Sequence, residues 1–255
     1  MAGCSHTGDF LNFPSPETVE FVEGVIDRSG LPFFYSSGNH DWHCKQRCRP
    51  PVGSSEPDRA GLLADEGLEG SSDALRSEWR ERSLRSLYGG HDPDMWCEDT
   101  PSGLRFIAID NSTYQITAEQ LQFFKEHAAG DHPFVLLVHI PLYLEELQEA
   151  LHGTEHASVR AVSLCGDERW GAETDKGFET EQREQWTSNN PETLQFLEAV
   201  KSSGNLVAVL AGHIHSAQAQ EIGGAAAGAQ QLVTAASCEG GFRSIVFEPA
   251  QRAAL

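Results

Sequence analysis

Apolar runs of strand length, each ending in the same kinds of polar residue, constrain the fold of this chain more than any other feature. The runs and their endings are 31–37 with Gly38-Asn39-His40-Asp41, 134–138 with His139, and 206–211 with Gly212-His213-Ile214-His215. The carboxyl ends of buried strands are where α/β proteins usually place their chemistry. We therefore expect one edge of a sheet to gather Asn, Asp and His side chains.

A fourth polar turn, Gly8-Asp9, lies near the start of the chain and precedes a segment with helical periodicity. Asp, Asn and His are side chains that bind divalent metals through oxygen and nitrogen. A lone buried histidine is more often a hydrogen-bonded core residue, so the prediction rests on the whole set. Alternation along an extended segment would also place His213 and His215 on the same side, facing one metal cluster.

Helical patterns alternate with the apolar runs, which is typical of an α/β protein. Helices are predicted over 16–28, around 74–87, from Thr117 with Gln120 completing a capping box, and over 191–203. Strands are predicted over 31–37, 104–110, 134–139 and 206–211. The segments 217–222, 231–237 and 243–247 are predicted to form an antiparallel meander in a second sheet.

Two long polar segments, 43–102 and 144–190, leave from predicted strand ends that carry candidate ligands. Loops that leave such strand ends commonly carry binding and specificity residues. We predict a single domain across residues 1–255, in which these two segments form walls or lids over the site.

The charge of the chain restricts its partners. Asp and Glu outnumber Lys and Arg by 38 to 18, and the net charge is −20. Such a surface repels phosphate backbones and disfavours nucleic acid as a partner, although bound cations can reverse the sign locally for a small anionic ester. No stretch approaches the roughly 20 apolar residues of a membrane span, and the N-terminus lacks a secretory signal. We expect a soluble, cytoplasmic protein.

The polar motifs, in this order, resemble those of the calcineurin-like metallophosphoesterase superfamily. The matching stretches are Gly8-Asp9-Phe10-Leu11-Asn12, Gly38-Asn39-His40-Asp41, Val138-His139 and Gly212-His213-Ile214-His215. The resemblance implies a four-layer α/β/β/α sandwich with a two-metal site at strand ends. It also implies a phosphatase or phosphodiesterase that hydrolyses small phosphate esters by attack of metal-activated water, with Mn, Fe or Zn as the metal.

The resemblance further assigns roles to the site residues. The implied metal ligands are Asp9 as a bridge between two ions, Asn39, His139 and His213 at one ion, and His215 at the other. His40 is implied as the general acid or transition-state contact. Asp41 follows His40 and either orients its ring or satisfies a backbone amide; both interpretations stay open.

The chain departs from the family pattern at its start. Family members carry an Asp-x-His motif on a first strand, whereas only seven residues precede Gly8 here. We therefore expect one or more N-terminal strands to be missing from the sandwich, with one complete metal site. Backbone groups and apolar surface should then be exposed beside the gap.

Two explanations of this departure stay open, a fragment of a longer enzyme and a divergent protein that lost one metal. The rival function is an inactive or scaffold protein that retains the fold and one metal. A nuclease is disfavoured by the charge of −20.

Overall fold

Eight strands and four α-helices make up the parts of the chain that the computed structural model describes, residues 2–11, 16–41, 89–152, 164–167, 189–225 and 228–248. The strands are β1 (Cys4–His6), β2 (Phe33–Tyr35), β3 (Met95–Asp99), β4 (Arg105–Ile109), β5 (Phe134–Leu137), β6 (Leu206–Ala211), β7 (Gln218–Glu221) and β8 (Gln230–Val233). The helices are α1 (Pro16–Ser29), α2 (Ala118–His127), α3 (Glu145–His152) and α4 (Pro191–Lys201), and a 3-10 turn covers Ser237–Glu239.

The main sheet has six strands in the order β3-β4-β5-β6-β8-β7. Its four central strands run parallel, and the outer strands β3 and β7 are antiparallel to their neighbours. Because parallel strands end at the same edge, the residues that follow β5 and β6 lie side by side. The backbone N–H of Gly212 donates to the carbonyl of His139 at 2.9 Å and ties these two strand ends together.

A second, small sheet pairs β1 with β2 in parallel, with Cys4 opposite Phe33 and His6 opposite Tyr35. Each strand leads directly into a turn that carries candidate ligands, 8–9 after β1 and 38–41 after β2. The sequence analysis did not predict β1, since three residues are too few to form a recognisable pattern.

The main sheet separates two apolar cores. On one face, the sheet packs against α2, α3 and α4, whose buried residues include Phe124, Leu147 and Phe196. The other face packs against the second sheet and α1 through residues such as Phe34 and Val19. This arrangement agrees with the predicted α/β/β/α sandwich, and the α/β fold class is confirmed.

Helix α2 begins as the sequence predicted. Thr117 is its N-cap, with the hydroxyl accepting the N–H of Gln120 at 3.1 Å. The side chain of Gln120 in return accepts the N–H of Thr117 at 2.9 Å, which completes the capping box. The predicted helix around 74–87 lies outside the described residues.

The C-terminal part corrects the sequence prediction of a second-sheet meander. Strands β7 and β8 are antiparallel neighbours, but β8 also pairs in parallel with β6, so both strands extend the main sheet. Residues 243–247, predicted as a third strand, form none. Both edges of β8 are already occupied, and the Arg243 guanidinium instead donates to the carbonyls of Gln218 and Val233.

Strand β3 was missed by the sequence analysis and lies within the polar segment 43–102, while α3 lies within 144–190. The parts of these segments at 43–88, 153–163 and 168–188 lie outside the described residues. Among the described residues, Phe21, Phe242 and Val246 are 69%, 88% and 78% exposed. The expectation of apolar surface exposed beside missing N-terminal strands stays a prediction. Among the described helices, none has the length and apolar character needed to cross a bilayer.

Candidate metal centre

Four candidate ligands from distant parts of the chain meet at one edge of the two sheets. They are Asp9 after β1, Asn39 after β2, His139 after β5 and His213 after β6. Nε2 of the His139 ring lies 2.9 Å from Asn39 Oδ1 and 3.3 Å from Asp9 Oδ2. The structure therefore brings together four of the five metal ligands that the sequence analysis predicted.

The fourth member of this cluster presents its Nδ1 atom. His213 Nδ1 is 3.2 Å from His139 Nε2 and 3.1 Å from Asn39 Oδ1. One ligand atom each from Asp9, His139 and His213 lies within 4.8 Å of the other two. Two nitrogens and two oxygens at these separations can surround an ion with bonds of about 2.0–2.2 Å, so the donor set fits a divalent metal.

The His139 ring is fixed from its other side. Its Nδ1 lies 2.6 Å from the carbonyl oxygen of Thr7, and the residue is 1% exposed. When such a ring is neutral and donates Nδ1–H to a carbonyl, its lone pair is on Nε2, the atom facing Asp9 and Asn39. The backbone before Gly8 thus sets which nitrogen of His139 is available to a metal.

Glycines allow the turns to approach this closely. A Cβ at Gly38 would lie 2.1 Å from the backbone nitrogen and 2.3 Å from Oδ1 of Asp9. Gly8 has φ of 90°, and a Cβ there would lie 2.3 Å from Nδ1 of His139. Any side chain at either position would displace a candidate ligand.

Backbone strain is concentrated at the same place. Among the described non-glycine residues, the left-handed φ angles are 55° at Asp9, 66° at Tyr114, 66° at His213 and 52° at His215. Such conformations cost on the order of 1–3 kcal/mol each and persist where the surroundings hold them. Three of the four residues are candidate ligands, and Tyr114 bonds to His213.

These φ angles also correct the expectation that His213 and His215 lie on an extended segment. Ile214 between them is buried, whereas His215 is exposed and lies outside the cluster of Asp9, His139 and His213. The left-handed turn at each histidine breaks the alternation on which that expectation depended. The ligand role of His215 stays a prediction.

Asp41 is buried and holds the two ligand-bearing turns together. Its donors are the backbone N–H groups of Asp9 at 2.9 Å, Leu11 at 2.7 Å and Gly38 at 2.7 Å, and the hydroxyl of Tyr35. These bonds agree with the second interpretation of Asp41 given by the sequence, in which its carboxylate accepts backbone N–H groups. Burial is the largest cause of a raised pKa of Asp41, and the charge of Asp9 is the second. The hydrogen bonds that Asp41 accepts lower its pKa, but the net result is a pKa of about 7.

His40 lies at the rim of the cluster. Its backbone N–H donates to Asp9 Oδ1 at 2.8 Å, and its Nε2 is 4.0 Å from Asp9 Oδ2. The side chain is 17% exposed, so the ring can contact both a bound molecule and solvent. That position suits the predicted proton donor.

The charges of the cluster are strongly coupled. Burial opposes ionisation of Asp9, but the charge and hydrogen bond of His139 hold the pKa of Asp9 well below its usual range. Burial also opposes the charged form of His139, yet Asp9 raises the pKa of His139 to about 9. Burial and then the charge of His139 lower the pKa of His213 well below its usual range. Without a metal, the His139 ring therefore carries its second proton, and a positive charge, at neutral pH.

We expect metal binding to release this proton. A metal needs the neutral imidazole, so with the pKa of His139 near 9 the affinity should rise about tenfold per pH unit between pH 6 and pH 8. Titration calorimetry with Zn²⁺ in buffers of different ionisation enthalpy should detect close to one released proton per ion at pH 7. A pH-independent affinity without proton release would contradict the charge state described above.

Four residues around the cluster were not recognised from the sequence as supporting it. They are Thr7, Tyr35 and Tyr114, through the contacts given above, and Asn111, whose Oδ1 accepts the N–H groups of His139 and Ile140 at 3.0 and 2.9 Å. The sequence analysis had predicted only a strand over 104–110, just before Asn111. A polar residue directly after β4 was the one available signal.

Comparison with known proteins gives a family match over most of the chain. A sequence model of the calcineurin-like phosphoesterase family matches residues 5–217. This range includes every candidate ligand and both turns of the second sheet. No curated protein sequence matches the chain significantly.

Similar solved structures include a dimetal phosphatase from Danio rerio, 11% identical, with 91% of this chain and 71% of that chain covered and a TM-score of 0.45. A putative 5'-nucleotidase from Staphylococcus aureus in complex with alpha-ketoglutarate is 12% identical, with 85% and 42% covered and a TM-score of 0.31.

Proposed function

The chain belongs to the calcineurin-like phosphoesterase family, and we propose that it hydrolyses phosphomonoester or phosphodiester bonds of small molecules with a bound divalent metal. The observation that carries this proposal is the convergence of Asp9, Asn39, His139 and His213 on one point. Their four donor atoms are of the types that such ions bind.

These four residues would hold one ion, with Mn²⁺, Fe²⁺ and Zn²⁺ as the candidates for a mixed nitrogen and oxygen site. Asp9 and His215 would contribute to a second ion, as the family resemblance implies. When bound, such cations neutralise charge on phosphoryl oxygens and lower the pKa of bound water.

The side chains around the cluster would divide the remaining work. His40 would donate a proton to the leaving oxygen, from a position fixed by its backbone bond to Asp9. Asp41 would act as a positioning residue, since its carboxylate joins the turn after β1 to the turn after β2. Because the chain carries a net charge of −20, recognition of an anionic ester would depend on the bound cation.

The direct test is hydrolysis by protein stripped of metal and then reloaded. We expect the stripped protein to be inactive on 4-nitrophenyl phosphate and bis(4-nitrophenyl) phosphate, and Mn²⁺ or Zn²⁺ to restore hydrolysis of at least one of them. The preferred probe would distinguish a monoesterase from a diesterase. Tight metal binding without hydrolysis of either probe would instead favour the rival function, an inactive or scaffold protein that retains the fold and one metal. Exposure of His215 outside the cluster favours that rival.

We expect replacement of His40 with alanine to lower kcat by about 10²–10⁴-fold, the usual contribution of a general acid. Metal content should stay at the level of the unchanged protein, because the metal cluster is built from other side chains. Steady-state kinetics and metal analysis on the same sample would measure both. His91→Ala is the matched control, since His91 pairs with Glu98 on the surface. An unchanged kcat in the His40 variant would refute its role as the acid.

The cytoplasmic location stays a prediction. Fractionation of cells that express the protein would test it.

A further inference from the structure

The hydroxyl of Tyr114 contacts the side of His213 that faces away from the other candidate ligands. Tyr114 Oη lies 2.8 Å from His213 Nε2. The second ring nitrogen, Nδ1, lies 3.1 Å from Asn39 Oδ1 and 3.2 Å from His139 Nε2. One nitrogen of His213 thus faces the cluster while the other is held by a tyrosine 99 positions away in the chain.

Tyr114 is held firmly enough to fix another ring. It is 2% exposed, and its ring meets the His213 ring edge-on with the centroids 5.5 Å apart. Its backbone N–H donates to the carbonyl of Asn111 at 2.8 Å, and its own carbonyl accepts the Cys165 thiol at 3.5 Å. These bonds hold Tyr114 at a φ of 66°, a conformation that a tyrosine rarely adopts.

We propose that Tyr114 is a positioning residue that makes Nδ1 the metal-binding atom of His213. A neutral imidazole carries one hydrogen on one of its two nitrogens. When Nε2–H donates to the Tyr114 hydroxyl, the lone pair is on Nδ1 and faces Asp9, Asn39 and His139. This inference rests on the metal site proposed above, and it assigns a role to a residue that is not itself a ligand.

A hydroxyl suits this role because it both donates and accepts hydrogen bonds. Before a metal binds, the Tyr114 hydroxyl can donate to Nε2 while Nδ1–H points to the oxygen of Asn39, 3.1 Å away. With a metal on Nδ1, the same hydroxyl accepts Nε2–H. The His213 ring therefore keeps one orientation in both states, and metal binding requires only a change of tautomer at His213.

The test compares Tyr114→Phe with the unchanged protein, because phenylalanine keeps the ring contact and removes only the hydroxyl. We expect a 10–100-fold weaker Zn²⁺ affinity, the usual loss when a partner of a ligating histidine is removed. The metal-free protein should keep its cooperative unfolding transition, with a melting temperature lowered only as far as the loss of one hydrogen bond requires. Tyr143→Phe, a half-buried tyrosine packed against the helical-side core, is the matched control and should bind Zn²⁺ normally.

A second readout reports the tautomer directly. In protein with ¹⁵N-labelled histidine and bound Zn²⁺, His213 should show a protonated Nε2 whose hydrogen exchanges slowly with water. In Tyr114→Phe, that hydrogen should exchange faster with water. The Nδ1–H signal of His139, which faces the carbonyl of Thr7, should not change.

The outcomes separate this inference from the proposed function. Unchanged Zn²⁺ affinity and an unchanged Nε2–H signal in Tyr114→Phe would overturn the inference and leave the metal site standing. A weaker affinity together with loss of the cooperative unfolding transition of the metal-free protein would also overturn it, by assigning Tyr114 a structural role. If the unchanged protein binds no metal at all, both proposals fail.

Discussion

Replacement of His139 with alanine is expected to abolish tight metal binding and, with it, hydrolysis of phosphate esters. His139 Nε2 lies within 3.3 Å of an atom of each other member of the cluster. The change removes a candidate nitrogen ligand and also the partner that holds the pKa of Asp9 low. The loss of metal affinity should therefore exceed the 10–100-fold typical of residues that only support a ligand.

Metal analysis and calorimetry with Zn²⁺, followed by assay with an aryl phosphate, would measure this effect. His127→Ala is the matched control, since this histidine lies in the last turn of α2 and packs on Phe123. A His139 variant that binds Zn²⁺ as tightly as the unchanged protein would show that the cluster is not the metal site.

Replacement of Gly38 with alanine is expected to damage both the site and the fold around it. The new Cβ would lie 2.1 Å from the backbone nitrogen of Asp9 and 2.8 Å from the carbonyl carbon of Gly8. Backbone atoms cannot move aside as the end of a flexible side chain can, so the two turns must separate. Overpacking of this kind costs about 1–3 kcal/mol or more in the free energy of unfolding.

Separation of the turns should also weaken the bonds that Asp41 accepts from both of them. We expect Gly38→Ala to bind Zn²⁺ at least 100-fold more weakly, because a displaced Asp9 lies outside the range of tight metal bonds. Chemical denaturation and calorimetry would measure the two effects. Gly204→Ala is the control, because a Cβ at Gly204 meets no atom within 4 Å. Normal metal binding by Gly38→Ala would contradict the close approach of the turns.

The convergence of the candidate ligands could be predicted because it depends on two simple signals in the sequence. Asn39 and His139 each follow an apolar run of strand length, and parallel strands end at a common edge. The capping box at Thr117 was predictable for a similar reason, since all its atoms lie within one helical turn.

The supporting contacts could not be predicted because they depend on how distant backbones meet. Tyr114 and His213 both adopt left-handed φ angles. A tyrosine or a histidine in the sequence gives no sign of such a backbone conformation, whereas a glycine does. The orientation of His139 depends on the carbonyl of Thr7, and any residue type has a carbonyl. The third strand predicted at 243–247 had the right residue pattern, but β8, its predicted neighbour, is already paired on both edges with β6 and β7.

The candidate ligands come from turns that only the complete fold brings together, and Asn39 and His213 are 174 positions apart. An unfolded chain cannot present these atoms to one ion, so an ion bound here would stabilise the native state alone. At a free metal concentration 1,000 times the dissociation constant, binding would raise the free energy of unfolding by about 4 kcal/mol. In the cell, the supply of the metal would then regulate how long the protein survives as well as how fast it works.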